Sequence, residues 1–130
     1  MIKTKSIYDK KKNSDGIRIL VTRYYPRGIR KDKFDRWHRE LSPSRNLLKS
    51  LKEGVISQNV FFQIFRRELN NDPEKIKVCK QMAIESLEKN ITLLCYEKEE
   101  NSCHRLYVKK ACEHELSKLN LSRFDKLLSK

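Results

Sequence analysis

Hydrophobic and polar positions divide the chain into short apolar runs and longer stretches of helical spacing. Two runs read as buried strands, Ile17–Thr22 (IRILVT) and Ile91–Cys95 (ITLLC), both apolar and rich in β-branched residues. Lys5–Asp9 (KSIYD) reads as a shorter first strand. Phe34, Trp37, His38 and Leu41 recur at helical spacing, which predicts an amphipathic helix over Lys31–Leu41. Ser42-Pro43-Ser44 stops it, and Ser44 can cap a turn carrying Leu47, Leu48 and Leu51 that Gly54 breaks. Ser57 caps a strong helix with Val60, Phe61, Ile64, Phe65 and Leu69 on one face. Asn70-Asn71-Asp72-Pro73 ends that helix and starts the next, Glu74–Lys89, which turns Ile76, Cys79, Met82, Ala83 and Leu87 inward.

After the Ile91 strand, the charged stretch Tyr96–Asn101 suits a surface loop. Ser102 then stands as an N-cap, so that Cys103-His104-Arg105 form the first turn of a helix reaching Lys118. Val108, Ala111, Cys112 and Leu119 supply its inner face. Ser122 caps a last short helix docked by Phe124, Leu127 and Leu128.

Apolar strands separated by helices predict an α/β fold. We expect a single domain over residues 1–130, with a small, mostly parallel sheet flanked by helices on both faces. Such sheets collect ligands outside the carboxyl ends of their strands. With Ile17–Thr22 and Ile91–Cys95 as parallel neighbours, the Arg23–Gly28 loop and the Cys95–Arg105 segment open on the same edge. One pocket then gathers Arg23, Arg27, Cys95, Cys103, His104 and Arg105.

Composition narrows the classes. Residues 1–54 carry 16 Lys/Arg against 6 Asp/Glu, so the formal charge of +13 is concentrated in that half and favours polyanions, from phosphorylated metabolites to nucleic acid. A solvated lysine surface is the plainer reading of the same charge. No apolar run reaches the roughly 20 residues that span a bilayer, and MIKTKSIYDKKK has no apolar core of a secretory signal, so the expected location is cytoplasmic. In that compartment Cys79, Cys95, Cys103 and Cys112 are expected to remain thiols, with Cys79 and Cys112 as small buried hydrophobes.

The richest chemistry lies in ITLLCYEKEENSCHR. A thiolate is the working nucleophile, and a helix N-terminus with nearby cations lowers a thiol's pKa. Cys103 is the candidate nucleophile, Cys95 a resolving partner and His104 a base; the plainer reading makes both cysteines packing groups. Arg23, Arg27 and Arg105, with Tyr24 and Tyr25, are candidates to hold an anion, since a guanidinium binds two oxygens at once. Ion pairs with Asp35, Glu97, Glu99 or Glu100 are the competing use of those arginines. The three glycines form neither GxGxxG nor GxxxxGK[ST], the CX5R loop of cysteine phosphatases is missing, and no cofactor is specified. A metal site is not expected, because adjacent Cys103 and His104 on a helix point apart. The alternative is a nucleic-acid-binding module built on Lys10–Lys12 and Arg27–Arg39, with Tyr24, Tyr25, Phe34 and Trp37 as stacking groups. His38 beside Trp37 reads as packing or capping, and His114 as a solvated helix face.

LVTRYYPRG, then Trp37 with LSPS at 41–44, then TLLCYEKEENSCHR, resembles the uncharacterised DUF488 family. The likeness is closest to short archaeal and bacterial members with a strand-end Cys and a downstream CHR, and it covers nearly the whole chain. Tyr24-Tyr25 departs from relatives that read similarly to LWPRG or YWPRG. The resemblance implies a compact cytosolic α/β domain and no established substrate, cofactor or reaction.

Overall fold

The computed structural model describes residues 1–97 and 103–128, with side chains described through Leu121 and again at Leu128. Four strands form one parallel sheet in the order β1 (Ile2–Ser6), β4 (Ile91–Cys95), β2 (Ile17–Leu20) and β3 (Arg36–Trp37). Among the described residues, four helices pack with this sheet: α1 (Arg45–Lys52), α2 (Gln58–Asn71), α3 (Pro73–Glu85) and α4 (Arg105–Leu128). This is the expected single-domain α/β architecture.

β4 is the central strand. It pairs with β1 from Ile2↔Ile91 to Ser6↔Cys95 and with β2 from Ile17↔Ile91 to Leu20↔Leu94. All five of its residues are buried, which explains its apolar sequence. Alternation along the strands sends Ile19, Val21, Ile91 and Leu93 into the larger core and Leu20 and Leu94 into a smaller one on the opposite face. Phe61, Phe65, Met82, Val108 and Cys112 from α2, α3 and α4 fill the larger core, as does Leu47 of α1.

The smaller core is covered differently from expectation. In place of one amphipathic helix over Lys31–Leu41, the chain forms a 3-10 turn at Lys31–Lys33, strand β3 and a second 3-10 turn at Arg39–Leu41. Phe34 and Trp37 pack with Ile7, Leu20 and Leu94, while Leu41 turns to the larger core. Helical spacing arose here from residues serving two different faces. Tertiary pairing decided the outcome: the Asp35 amide donates to Arg18 O at 2.8 Å, and Asp35 Oδ2 accepts the Arg18 amide, also at 2.8 Å. Among the described residues, the helical cover expected on the second face is therefore these turns and β3, while helices α1–α4 serve the first.

The first strand also differs, lying at Ile2–Ser6 and not Lys5–Asp9. As an edge strand β1 tolerates lysines, and Lys3 and Lys5 reach Ser14 O and the Asp15 carboxylate. Ser6–Asp9 forms a turn closed by Asp9 N–H on Ser6 O. Gly16 (φ +66°) starts β2 where a Cβ would stand 2.0 Å from Asn90 O, the acceptor of the Ile17 amide, so glycine is required for the strands to meet.

Two of the expected serine caps are in place, and Asp72 caps the helix that Pro73 starts. Ser44 and Ser57 accept the amides of Leu47 and Val60, both at 3.2 Å, and Asp72 accepts that of Glu74, with Pro73 as the first helical residue. The inward faces shift slightly, since Phe62 is buried while Val60 and Leu87 are exposed. With no Gly or Pro between residues 105 and 128, α4 is continuous, so Ser122 does not start a separate helix. Leu128 is exposed, and Phe124 and Leu127 lie outside the described side chains.

Arg36 of β3 and Glu85 of α3 form a forked pair with both N···O distances 2.7 Å, yet both side chains are over a third exposed or close to it, at 40% and 34%. Water screens such pairs. Glu85→Ala is expected to cost no more than about 1 kcal/mol in urea unfolding.

Candidate functional site at the carboxyl edge of the sheet

β2 and β4 are parallel neighbours, so their exits share one edge. The Val21 amide donates to Leu94 O at 3.0 Å, which carries the pairing one residue past β2. Cys95 ends β4 opposite Ser6, and the chain returns so that Cys103 meets it: the two sulfurs form a disulfide, eight positions apart in sequence. The expectation of four free thiols is corrected for this pair.

Cys79 and Cys112 are free and buried, as expected. A hydrogen bond with Cys79 and burial push the Cys112 thiol far above its ordinary pKa, which leaves it protonated and inert.

Helix α4 begins at Arg105, two residues later than predicted, and the proposed Ser102 cap lies outside the described residues. His104 contributes the cap carbonyl, accepting from the amides of Tyr107 (3.0 Å) and Val108 (3.2 Å). Cys103 and His104 therefore precede the helix and escape the divergence of neighbouring helical side chains. Nδ1 of His104 lies 3.6 Å from Cys95 Sγ and 3.9 Å from Cys103 Sγ.

The other ring nitrogen fixes the tautomer. Nε2 is 2.6 Å from Val21 O, and because a carbonyl only accepts, Nε2 carries the proton and Nδ1 presents a lone pair. Burial lowers the imidazole pKa to about 4; the Val21 carbonyl opposes this shift and the Arg105 guanidinium adds to it. The ring is neutral at pH 7. Phe65 of α2 stands edge-on to it, with centroids 5.6 Å apart and an interplanar angle of 89°, and holds its plane. A lone pair facing two disulfide sulfurs has no proton to accept. Reduced, either cysteine supplies an S–H to Nδ1, so the pocket's polarity complements the dithiol better than the disulfide.

Cys95, Cys103 and His104 line a cavity of about 350 Å³. Its apolar wall is Leu48 and Leu51 of α1 and Phe61 and Phe62 of α2; its charged lining residues are the cations Arg23 and Lys52 and the acid Glu97. The Arg23 guanidinium is anchored by the carbonyls of Ser42 (3.4 Å) and Pro43 (3.2 Å). Tyr24 lines the mouth, and its carbonyl accepts the Tyr96 hydroxyl.

The predicted anion-binding residues separate. Arg23 and Tyr24 line the cavity. Arg27 is exposed outside its lining, and its carbonyl accepts the Tyr8 hydroxyl at 3.0 Å. Tyr25 donates to Ile29 O at 2.6 Å and, itself exposed, packs edge-on against Phe34 and Trp37. Arg105 is buried and donates to the Glu97 carbonyl. Lys52 and Gln58 join the lining without a sequence signal, because no motif says which face of α1 or α2 meets a strand end, while Tyr96 and Glu97 follow Cys95 into it. Of the proposed stacking groups, Trp37 is committed elsewhere: its Nε1 donates to Thr22 O at 2.7 Å and the Arg39 guanidinium sits 3.8 Å from its ring centroid. His38 makes a 3.0 Å contact to Glu40, and His114 is exposed on α4.

The comparisons with known proteins agree with one another. Residues 2–116 match the profile described as DUF488-N3a, the "Active DUF488-N3 subclade". The chain is also similar to the "Uncharacterized protein YeaO" of Escherichia coli (strain K12), at 34% identity over 107 residues, which is 81% of this chain and 90% of that protein. No solved structure matches the chain. With a profile match over most of its length and a relative that it spans almost completely, the chain belongs to the DUF488 family.

Proposed function

We propose that this protein binds a small anionic ligand in the cavity at the sheet edge, beside a reactive Cys95–Cys103 pair, and that it works in the cytoplasm. One observation carries the reading: the paired sulfurs, the His104 lone pair and two cations, Arg23 and Lys52, border the same cavity. Cys103 is the nucleophile, because it stands at the N-terminal end of α4, where helix amides and Arg105 favour a thiolate. Cys95 is the resolving partner and Nδ1 of His104 the proton acceptor. The description of the matched subclade as active favours a working site over a purely structural one.

The redox step balances with a small-molecule thiol as reductant. Its thiolate attacks Cys103 Sγ, the S–S bond breaks, and the electron pair leaves on Cys95 Sγ, which is protonated. A second reductant thiolate then attacks the reductant's sulfur in the mixed disulfide and releases Cys103 as a thiolate. In the reverse direction the Cys103 thiolate attacks the oxidised reductant to form the mixed disulfide, and Cys95 attacks Cys103 Sγ and expels the reductant.

Arg23 and Lys52 provide the anion subsite, and the apolar wall suits an organic body attached to it. A rise in melting temperature with inorganic phosphate or a nucleoside monophosphate is expected, and Lys52→Ala should diminish it. Unchanged melting in both ligands would refute the anion subsite. A gain with a generic oligonucleotide that vanishes at high salt, with none for the monomer, would favour the nucleic-acid alternative.

A further inference from the structure

The same edge carries a second capability that uses the cysteines without any substrate. We propose that the reduced Cys95 and Cys103 thiolates, with Nδ1 of His104, form a three-ligand site for a soft divalent metal of the zinc class, its fourth position open to the cavity. All three ligand atoms lie within 4.8 Å of one another.

The geometry fits on three counts. Tetrahedral zinc, with Zn–S near 2.3 Å and Zn–N near 2.0–2.1 Å, separates N from S by about 3.6 Å and S from S by about 3.8 Å. The observed N···S separations are 3.6 and 3.9 Å, so two edges of the tetrahedron already exist. Only the S–S edge must open, and reduction does that by replacing a covalent bond with nonbonded contact. Second, metal-binding histidines characteristically donate their other N–H to a carbonyl or carboxylate. His104 does so to Val21 O, which leaves Nδ1 unprotonated and aimed at the sulfurs. Third, the ligand set is soft and partly imidazole, the preference of zinc over magnesium or calcium.

Binding balances as a proton exchange. Two thiols lose their protons to solvent, the dianionic pair takes one M2+, and the neutral imidazole adds its lone pair with no proton to release. The disulfide has no thiolate to offer, so oxidation and metal occupancy exclude each other. The inference requires that the pair can be reduced, and it requires neither an anionic ligand nor an unusual Cys103 pKa.

The test uses the full chain, reduced with a trialkyl phosphine, desalted without chelator and titrated with Co2+ and then Zn2+. One equivalent of Co2+ should produce thiolate-to-metal charge-transfer absorption, which Zn2+ abolishes, and the metal should protect Cys95 and Cys103 from iodoacetamide in site-resolved mass spectrometry. Oxidised chain should give no such band. His104→Ala should weaken affinity by tenfold or more, and Cys103→Ser should remove the band, each checked for native circular dichroism. Absence of the band in reduced chain, a band unaffected by either substitution, or a pair that stays oxidised under excess phosphine would each overturn the proposal. Low-pKa alkylation of Cys103 without metal binding would leave the reactive-thiol reading standing alone.

Discussion

Replacing Asp15 with alanine is expected to destabilise the chain by about 3–5 kcal/mol, the cost of stranding a buried charge. Asp15 ends the 3-10 turn before Gly16, and its side chain is 6% exposed. Its carboxylate accepts from Arg18, itself only 1% exposed, and from Lys5 at 3.1 Å and the Lys12 amide at 3.0 Å. The Asp15 carbonyl also accepts the Thr92 hydroxyl at 2.7 Å, which ties this corner to β4. Truncation leaves the Arg18 guanidinium between strands with one carbonyl partner, that of Lys33.

The same carboxylate sets an acid limit. Burial raises its pKa, but the Lys12 amide, Lys5 and Arg18 outweigh burial and hold it below the ordinary carboxylate value. A depressed folded pKa means that this stabilisation is complete above the unfolded value of about 3.9 and is lost as pH falls through the lower folded value. Urea unfolding of wild type at neutral pH and below pH 4 should show the loss, and Asp15→Asn should flatten that part of the profile. Equal acid sensitivity in the variant would assign the limit to other carboxylates.

The second large effect concerns the site itself. In reduced chain, His104→Ala is expected to slow iodoacetamide alkylation of Cys103 at pH 7 by about tenfold or more, because each unit of thiol pKa changes the thiolate fraction about tenfold. The imidazole that burial holds near pKa 4 beside a disulfide becomes a better base beside a thiolate, since a negative neighbour favours its protonated form. Nδ1 can then take the proton that Cys103 gives up. The variant also strands the Val21 carbonyl, so a drop in melting temperature should accompany the kinetic change. A stability loss with unaltered alkylation would reduce His104 to a packing role.

The sheet centre and the cysteine pair were legible for different reasons. β2 and β4 are mostly apolar, interrupted by Arg18 and Thr92, because both faces of each are buried, and that pattern survives without context. Their parallel adjacency then delivered Arg23, Cys95, Cys103 and His104 to one edge. Lys31–Leu41 reads as a helix because Phe34 and Trp37 serve one core and Leu41 the other, at spacings that imitate one. Ile2–Ser6 was missed because an edge strand can carry Lys3 and Lys5. The approach of His104 to both sulfurs was hidden by a two-residue shift in helix start. Lys52 and Gln58 reach the cavity through tertiary placement alone.

The central claim is that the edge activates Cys103, and the most direct test is the pH dependence of its alkylation. Reduced wild-type chain, freed of metal with EDTA, would be pulsed with iodoacetamide across the pH range and each cysteine followed by mass spectrometry, with buried Cys79 and Cys112 as internal controls. We expect a Cys103 midpoint well below the ordinary thiol value of about 8.5. A midpoint at or above that value, or protection equal to that of Cys79 and Cys112, would contradict the account and make the Cys95–Cys103 pair a structural feature of the sheet edge.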